Sequence, residues 1–367
     1  MSSLLFKDEI GSLTEYIELV LFCKSKMYEE YHDRYGSIKE SIRWYSDSLL
    51  RLKEIDLSTL SDYDVYENAL RIRNTERTIN YLKKLQHDNP EEDDWQNIYL
   101  KYHSVPGHSF FYRGQFKYDY RLLPSIMRDN EIVREDFYYH NILIKCPDSF
   151  MSKNYLEQLA MMQHHGCNTR LLDVTHNPLV ALYFACANFG CRKCNNSEEG
   201  AVYFFNLYSD EVSFFDEEKV KLLSVLPILT VSEKQMLYEE CISKLRGRSR
   251  FNTGRNKSVV EKVIKLLQKE LPALKNDIDP LDFLVPVLFE PIRDNGRLLK
   301  QDGSFILNGL SLNEDEAEKK NMEMCWKKLK VFNQGKILEE LDDLGINEST
   351  LFPEIDNVAH YLKSKSI

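Results

Sequence analysis

Four polar residues beside short apolar segments are the first candidates for chemistry in this sequence. Arg113 ends an aromatic run and precedes a glycine, so its guanidinium could clamp a phosphate or carboxylate, or pair with a core carboxylate. Asp173 and Thr175 close a second apolar run. Gln301 stands beside a glycine turn, where its amide could hold a hydroxyl or a nicotinamide-like group, or belong to a polar loop.

The segment from Asn168 to Ala185 is the most informative part of the chain. It predicts a strand, an N-cap at Asn177, Pro178 in the first helical position and then an apolar helix. Free N–H groups at a helix N-terminus favour anions, so Asp173 and Thr175 could form part of a ligand site. They could equally do no more than cap the turn.

The histidines and cysteines do not favour a metal site. His164 and His165 precede Gly166, which predicts a helix C-cap, and adjacent side chains point in different directions. One histidine could act as an acid or base near neutral pH, although a partly buried, hydrogen-bonded histidine is the commoner outcome. Cys191 and Cys194 form a lone Cys-x-x-Cys pair, which favours a turn over a zinc or redox site.

An α+β fold with a mixed central β-sheet is predicted to position these residues, because short apolar segments alternate irregularly with helical ones. We expect a helical N-terminal region over residues 1–100, followed by a domain over residues 101–367 with a helical and basic insertion around 209–280 and a helical C-terminal tail. Strands are predicted at 108–113, 169–174, 201–207 and 284–289, and helices at 177–188, 259–269, 315–331 and 337–344.

Composition narrows the function classes. The 367 residues suit two or three domains, and 58 acidic against 48 basic residues give a net charge of −10, which does not favour nonspecific attraction to DNA. The run from Lys244 to Lys257 has six basic and no acidic residues, so it is either a polyanion contact or a solvated loop. With no apolar stretch of about 20 residues and no signal-peptide pattern, the sequence predicts a cytoplasmic protein that does not enter a membrane.

Several motifs, taken in order, resemble the FRG domain family, which is named for its aromatic-Arg-Gly motif. The resemblance covers roughly residues 108 to 363 and implies a domain, not a reaction. Its motifs are Tyr112-Arg113-Gly114-Gln115, Leu122 to Arg128, Gln163 to Gly166, Thr169 to Thr175, Asn177 to Ala185, Arg297, Gln301, Gly303, Phe305, and Leu351 to Ala359.

The order of the same residues is also similar to ADP-ribosyltransferases of the arginine-serine-glutamate type. That family has a strand arginine, a Ser-Thr-Ser strand followed by a Pro-x-x-Ala-x-x-Phe-Ala helix, and a late glutamate. The matching positions are Arg113, Asp173, Val174, Thr175, Pro178, Ala181, Phe184, Ala185 and Gln301. The resemblance implies an ADP-ribosyltransferase-like sheet and NAD as a substrate.

The second resemblance also implies residue roles. Catalysis falls to Arg113 at the NAD pyrophosphate or ribose, to Thr175 at the nicotinamide ribose beside Asp173, and to Gln301 near the acceptor nucleophile. A glutamine cannot act as a carboxylate base or stabilise an oxocarbenium ion by charge, so transfer could be slow, use His164 or Asp173, or be absent. Contacts to NAD are assigned to Arg113, Gly114, His164, Thr169, Arg170 and Thr175.

We therefore expect an ADP-ribosyltransferase-like enzyme that modifies a protein or nucleic-acid acceptor, as a microbial toxin or phage-defence protein whose N-terminal helices bind a partner or regulate the site. The alternative is a noncatalytic module that binds a nucleotide or phosphate group, and a third hypothesis is a nucleic-acid-processing protein guided by the basic run. An enzyme predicts that Arg113, Asp173, Thr175 and Gln301 converge on one cleft. A purely structural role predicts that Asp173 and Arg170 are buried in ion pairs or caps.

Overall fold

The computed structural model describes residues 8–21, 37–88, 108–188, 199–209, 211–247, 251, 257–272, 274 and 278–365. The chain divides into two compact units. The sheet unit comprises Met1–Val20, His108–Thr230 and Pro286–Ile367, and the helical unit comprises Leu21–Gly107 and Val231–Val285. The domain boundaries expected from the sequence stay predictions.

A mixed eight-stranded sheet lies in the described part of the sheet unit, which confirms the α+β fold class. Side by side, its strands run β1-β8-β4-β2-β3-β7-β6-β5, with the two outermost pairs parallel and the other pairs antiparallel. In chain order they are β1 (Glu9–Ile10), β2 (His108–Gln115), β3 (Leu171–Thr175), β4 (Gly200–Tyr208), β5 (Ser213–Phe214), β6 (Val287–Glu290), β7 (Gly303–Leu307) and β8 (Cys325–Val331).

Within the sheet unit, helices connect the strands. The helical unit contains α2, α3, α9 and α10. In chain order the described helices are α1 (residues 13–21), α2 (Ile38–Glu54), α3 (Asp62–Asp88), α4 (Glu135–Lys145), α5 (Pro147–Phe150), α6 (Tyr155–His164), α7 (Pro178–Cys186), α8 (Glu218–Ser224), α9 (Val231–Arg246), α10 (Lys257–Leu267), α11 (Gly296–Lys300), α12 (Glu314–Met324), α13 (Gln334–Asp343), α14 (Glu348–Leu351) and α15 (Ile355–Lys365). Within the described residues, no helix is long and apolar enough to cross a membrane.

The two faces of the sheet are covered differently. On one face, alternate residues of neighbouring strands form an apolar core that includes Phe111, Val174 and Ile306. On the other, α7 packs so closely that a Cβ at Gly114 would lie 1.9 Å from the backbone oxygen of Ala181. Glycine is therefore required for this strand–helix packing.

The sheet opens between β2 and β3. These strands pair only at Tyr112 and Thr175, whereas β2 pairs with β4 over eight residues and β3 pairs with β7 over five. Beyond the single pair, Arg113 on β2 and Asp173 on β3 border a stretch without backbone pairing, which we call the strand gap. The gap exposes edge groups that side chains or a ligand must satisfy.

The helix predicted over residues 315–331 is wrong beyond Met324. There α12 ends and the chain continues as β8, which pairs with β4 and β1. The physical reason for the strand is that burial alternates with a period of two, since the fully buried Leu329 and Val331 alternate with lysines. The helical prediction followed the charges and missed this alternation.

Other local predictions are confirmed. Gly166 follows α6 with a φ of +78°, as a C-cap glycine does. Asn177 caps α7 by accepting a hydrogen bond from the Leu179 N–H, and Pro178 occupies the first turn. These caps mark the end of α6 and the start of α7.

Candidate functional site

A cavity of about 550 Å³ lies over the face of β3, β7 and β6 in the sheet unit. Asp173, Phe305 and Phe289 stand next to one another on three paired strands and form its floor. Residues of α6 line one wall, and α11 with the segment before it lines the other. The volume falls within the roughly 300–1,000 Å³ of small-molecule sites, and the mostly apolar lining with a few polar groups is typical of them.

Arg113 lies in the strand gap, beside the floor of this cavity. Its Nη1 donates a hydrogen bond of 2.5 Å to the backbone oxygen of Asp173 and lies 3.9 Å from Oδ2 of the same residue. The side chain is only 14% exposed, and its buried Nε has no hydrogen-bond partner among the described residues. Burial lowers the pKa of Arg113 to about 10, and the charge of Asp173 opposes that shift. The guanidinium is therefore charged at neutral pH but incompletely neutralised.

Asp173 points its carboxylate into the cavity. The side chain is 58% exposed, and Oδ2 accepts a hydrogen bond of 2.9 Å from Gln163 Nε2. Gln163 is itself oriented by Thr169, whose hydroxyl donates to Gln163 Oε1 at 2.6 Å. Two buried or half-buried polar groups thus hold an accessible carboxylate, which suits binding a hydroxyl or accepting a proton.

Gln301 and Thr175 are joined at the edge of the same cavity. The hydroxyl of Thr175 donates to the backbone oxygen of Gln301 at 2.6 Å and accepts from the Asn177 N–H at 3.0 Å. The Gln301 side chain lines the cavity, and its Nε2 donates to the backbone oxygen of Leu351 at 3.1 Å. Thr175 is buried and does not line the cavity, so it acts as a support for the Gln301 turn.

Besides Arg113 and Thr175, three more of the predicted NAD-binding residues do not line the cavity. Arg170 is 1% exposed, pairs with the carboxylate of Glu135 and donates to the backbone oxygen of Asn308. Gly114 packs against α7, and Thr169 is buried behind Gln163. Their positions indicate structural roles around the site.

His164 lines the cavity at the end of α6. Burial lowers its pKa, and the neighbouring His165 and Arg297 lower it further, while Glu354 and Asp294 act in the opposite direction. These influences favour the neutral form of His164, which can accept a proton. His165 also lines the cavity, with its ring centroid 5.0 Å from that of His164.

The C-terminal motif supports the cavity wall, a role that sequence reasoning did not assign. The Arg297 guanidinium lies 4.8 Å from the centroid of the Phe352 ring, and Phe352 also contacts Phe184 of α7 edge to face. Together with the bond from Gln301 to Leu351, these contacts attach the segment after α14 to α11. The sequence did mark these residues, because Arg297 and the segment from Leu351 to Ala359 belong to the motifs that carry the family resemblance.

The structure describes only some of the residues that the sequence offered for a metal site or a polyanion contact. Among the described residues, no cluster of three or more histidine, cysteine or carboxylate side chains could hold a metal ion. Cys191 and Cys194 lie outside the described residues, as does most of the basic run after Gly247. Arg246, within that run, pairs with Asp62 at 2.7 Å in the helical unit.

Comparison with protein families finds a match to part of the chain. The family model of the FRG domain matches residues 108–192, a segment that contains both strands bordering the gap and the helix α7. The resemblance to the FRG domain is thus confirmed over that segment. No curated protein and no solved structure matches the chain.

Proposed function

We propose that the chain is an NAD-using enzyme of the mono-ADP-ribosyltransferase kind. One observation carries the proposal: Asp173 and Gln301 line a single cavity, and Arg113 contacts Asp173 at its edge. These residues lie on or next to three neighbouring strands, although more than a hundred positions of sequence separate the last from the second. Residues that only stabilise their own local structure are not expected to lie together in this way.

The site suits the parts of a dinucleotide. Arg113 supplies a partly desolvated positive charge for a phosphate or ribose oxygen, and the Asp173 carboxylate accepts hydrogen bonds from a ribose hydroxyl. Phe289 and Phe305, whose ring centroids are 5.8 Å apart, are almost fully buried and make the floor of the cavity apolar. The site therefore combines charged groups for phosphate and ribose oxygens with an apolar floor.

Transfer of ADP-ribose requires few groups from the protein. The acceptor oxygen or nitrogen bonds to the ribose carbon, the bond from that carbon to nicotinamide breaks, and its electron pair leaves with nicotinamide. The proton of the acceptor passes to a base. Gln301 cannot take it, so the base is Asp173 or the neutral His164, both of which line the cavity.

The acceptor is a protein or a nucleic acid, and the setting is the cytoplasm of a microbe, in which the enzyme acts as a toxin or in defence against phage. The N-terminal helices within residues 1–100 serve as a partner-binding or regulatory segment. The basic run from Lys244 to Lys257 is an additional contact for a polyanionic acceptor.

A noncatalytic nucleotide-binding module is the second candidate. It is favoured by the internal bonds of two residues, because Thr175 is occupied with Gln301 and the Gln301 amide with Leu351. With no carboxylate at position 301, NAD could bind in the cavity and remain intact.

Release of nicotinamide from NAD distinguishes the two candidates. We expect Asp173→Asn to lower the rate of release about a hundredfold, because it removes a charge that either binds the ribose or accepts a proton. Asp315→Asn is the matched control, since Asp315 is 90% exposed on α12 and should leave the rate unchanged. Binding of NAD to the wild-type protein without release would contradict the enzyme and support the module.

A further inference from the structure

A second arginine, Arg128, lies close enough to Arg113 and Asp173 for their charges to interact. It follows the 3₁₀ turn Ser125–Met127, which is hydrogen-bonded to Thr169, two residues before β3. The Ile126 N–H donates to the Thr169 backbone oxygen at 3.2 Å, and the Thr169 N–H donates to Ser125 Oγ at 3.1 Å. The turn is therefore fixed to the same residue that, through Gln163, orients Asp173.

The Arg128 guanidinium is itself held in place. Its Nε and Nη2 both donate to the backbone oxygen of Leu123, at 3.1 and 2.8 Å. A guanidinium has five N–H donors in a planar fork, so this one carbonyl leaves the Nη1 side available to another acceptor. Because these two bonds already fix one edge of the guanidinium, binding an acceptor at the other edge costs no further side-chain entropy.

The charges of Arg113 and Arg128 act on each other and on one carboxylate. Burial is the largest cause that lowers the pKa of each arginine, and the charge of Asp173 is the main opposing influence on both. Arg128 lowers the pKa of Arg113 further, while Tyr120 and Asp129 also favour the charged form of Arg128. The exposed Arg128 and the largely buried Arg113 are thus both stabilised in their charged form by the half-exposed Asp173, and Arg113 also has a buried Nε without a partner among the described residues.

We propose that Arg128 and Arg113 form a two-arginine site for a diphosphate group at the strand gap, with Arg128 as a binding residue for the pyrophosphate of NAD. This inference rests on the proposed function and adds a residue to it. A diphosphate has enough oxygen atoms to accept from both guanidinium groups at once, and its charge would neutralise them more fully than Asp173 does. Arginine suits this task better than lysine because its planar fork can bind a phosphate through two hydrogen bonds.

Isothermal titration with four probes tests the site: NAD, ADP-ribose, inorganic pyrophosphate and adenosine. We expect Arg128→Gln to weaken binding of the three diphosphate-bearing probes about tenfold and to leave adenosine unchanged, because one charge-assisted hydrogen-bonding group is lost. Arg128→Lys should weaken them less, since it keeps the charge and loses the fork. Arg134→Gln is the matched control, because Arg134 is 63% exposed and lies six residues further along the chain. Thermal unfolding of each variant verifies folding.

The outcomes separate this site from the proposed function. If wild-type protein binds pyrophosphate but not NAD, and Arg128→Gln loses pyrophosphate binding, the arginine pair stands and the NAD-using enzyme does not. If folded Arg128→Gln binds ADP-ribose within twofold of the wild type, Arg128 does not belong to the site. Wild-type protein that binds none of the diphosphate probes would also overturn the two-arginine site.

Discussion

Arginines of this chain show how the surroundings of a side chain decide its role. Arg170 is fully buried, pairs with Glu135 and donates to a backbone oxygen, so every contact it makes is internal. Arg113 is nearly as buried, yet it has a donor without a partner among the described residues and neighbours a cavity. The first arginine stabilises the fold, whereas the second is prepared for an anion.

Stability below neutral pH should depend on Glu290, which lies outside the cavity. Burial raises the pKa of Glu290, but hydrogen bonds from His176 and Ser304 and the charges of His176 and Arg293 outweigh burial and lower it overall. A carboxyl whose pKa is lower in the folded protein stabilises it above the unfolded pKa of about 4.3, and that contribution disappears as the pH falls through the folded value.

We therefore expect Glu290→Gln to lower the free energy of unfolding by about 1–2 kcal/mol near pH 6 and by less near pH 3, since the carboxyl loses its charge as the pH falls. Urea denaturation between pH 3 and pH 7 measures this difference. Glu339→Gln, at an exposed position on α13, is the control and should show no such pH dependence. A Glu290→Gln deficit that is the same at both pH values would show that the effect is not electrostatic.

Among the strands and helices, the contact between β2 and α7 lies nearest to Arg113. β2 pairs with β4 on one side and borders the strand gap on the other, and α7 approaches it closely at Gly114. A methyl group there would meet backbone atoms of Ala181 and Ala185, which cannot move aside as a flexible side chain can.

Gly114→Ala should accordingly destabilise the protein by about 2 kcal/mol or more, because the strand and the helix must separate to accommodate the added methyl group. Gly335→Ala provides the contrast: its Cβ would have no atom within 4 Å, and alanine is the better helix former in α13. Chemical denaturation of both variants measures the effect. Equal stability of the two variants would mean that β2 and α7 do not require the close contact.

Local patterns predicted much of this architecture. The strands β2, β3 and β4 are marked by aromatic and β-branched residues, and α7 by Asn177 and Pro178 at its start. Strand pairing could not be predicted in this way. β3 pairs with β7, the two strands are more than a hundred residues apart in the sequence, and no local propensity encodes such a contact. For the same reason Gln301 was placed in the site by resemblance, while its bond to Leu351 was not foreseen.

Within the site, the sequence identified residue types better than it identified their partners. Asp173 was a candidate because it lies near the end of a strand. Its orientation, however, depends on a hydrogen bond from Gln163, to which the sequence assigned no role beyond membership of a motif. Arg170 stands three positions before Asp173 and has the chemistry of an anion-binding residue, yet the fold buries it with Glu135. Side-chain direction in a strand alternates, and which face is the core is decided by packing across the whole sheet.

Considered as a whole, the chain places its candidate chemistry in the sheet unit, and the FRG match falls in the same unit. We propose that this unit transfers ADP-ribose from NAD with Arg113 in the binding site. Because Arg113 contacts Asp173 through its side chain alone, Arg113→Ala should fold while losing the charge that NAD requires.

The most direct test incubates the purified protein with isotopically labelled NAD and a cell lysate, which is then separated into protein, RNA and DNA. We predict label in one of the three fractions, reduced about a hundredfold or more with Arg113→Ala and unchanged with Arg134→Ala, in which an exposed arginine is replaced. A folded wild-type protein that leaves every fraction unlabelled and releases no nicotinamide would contradict the claim.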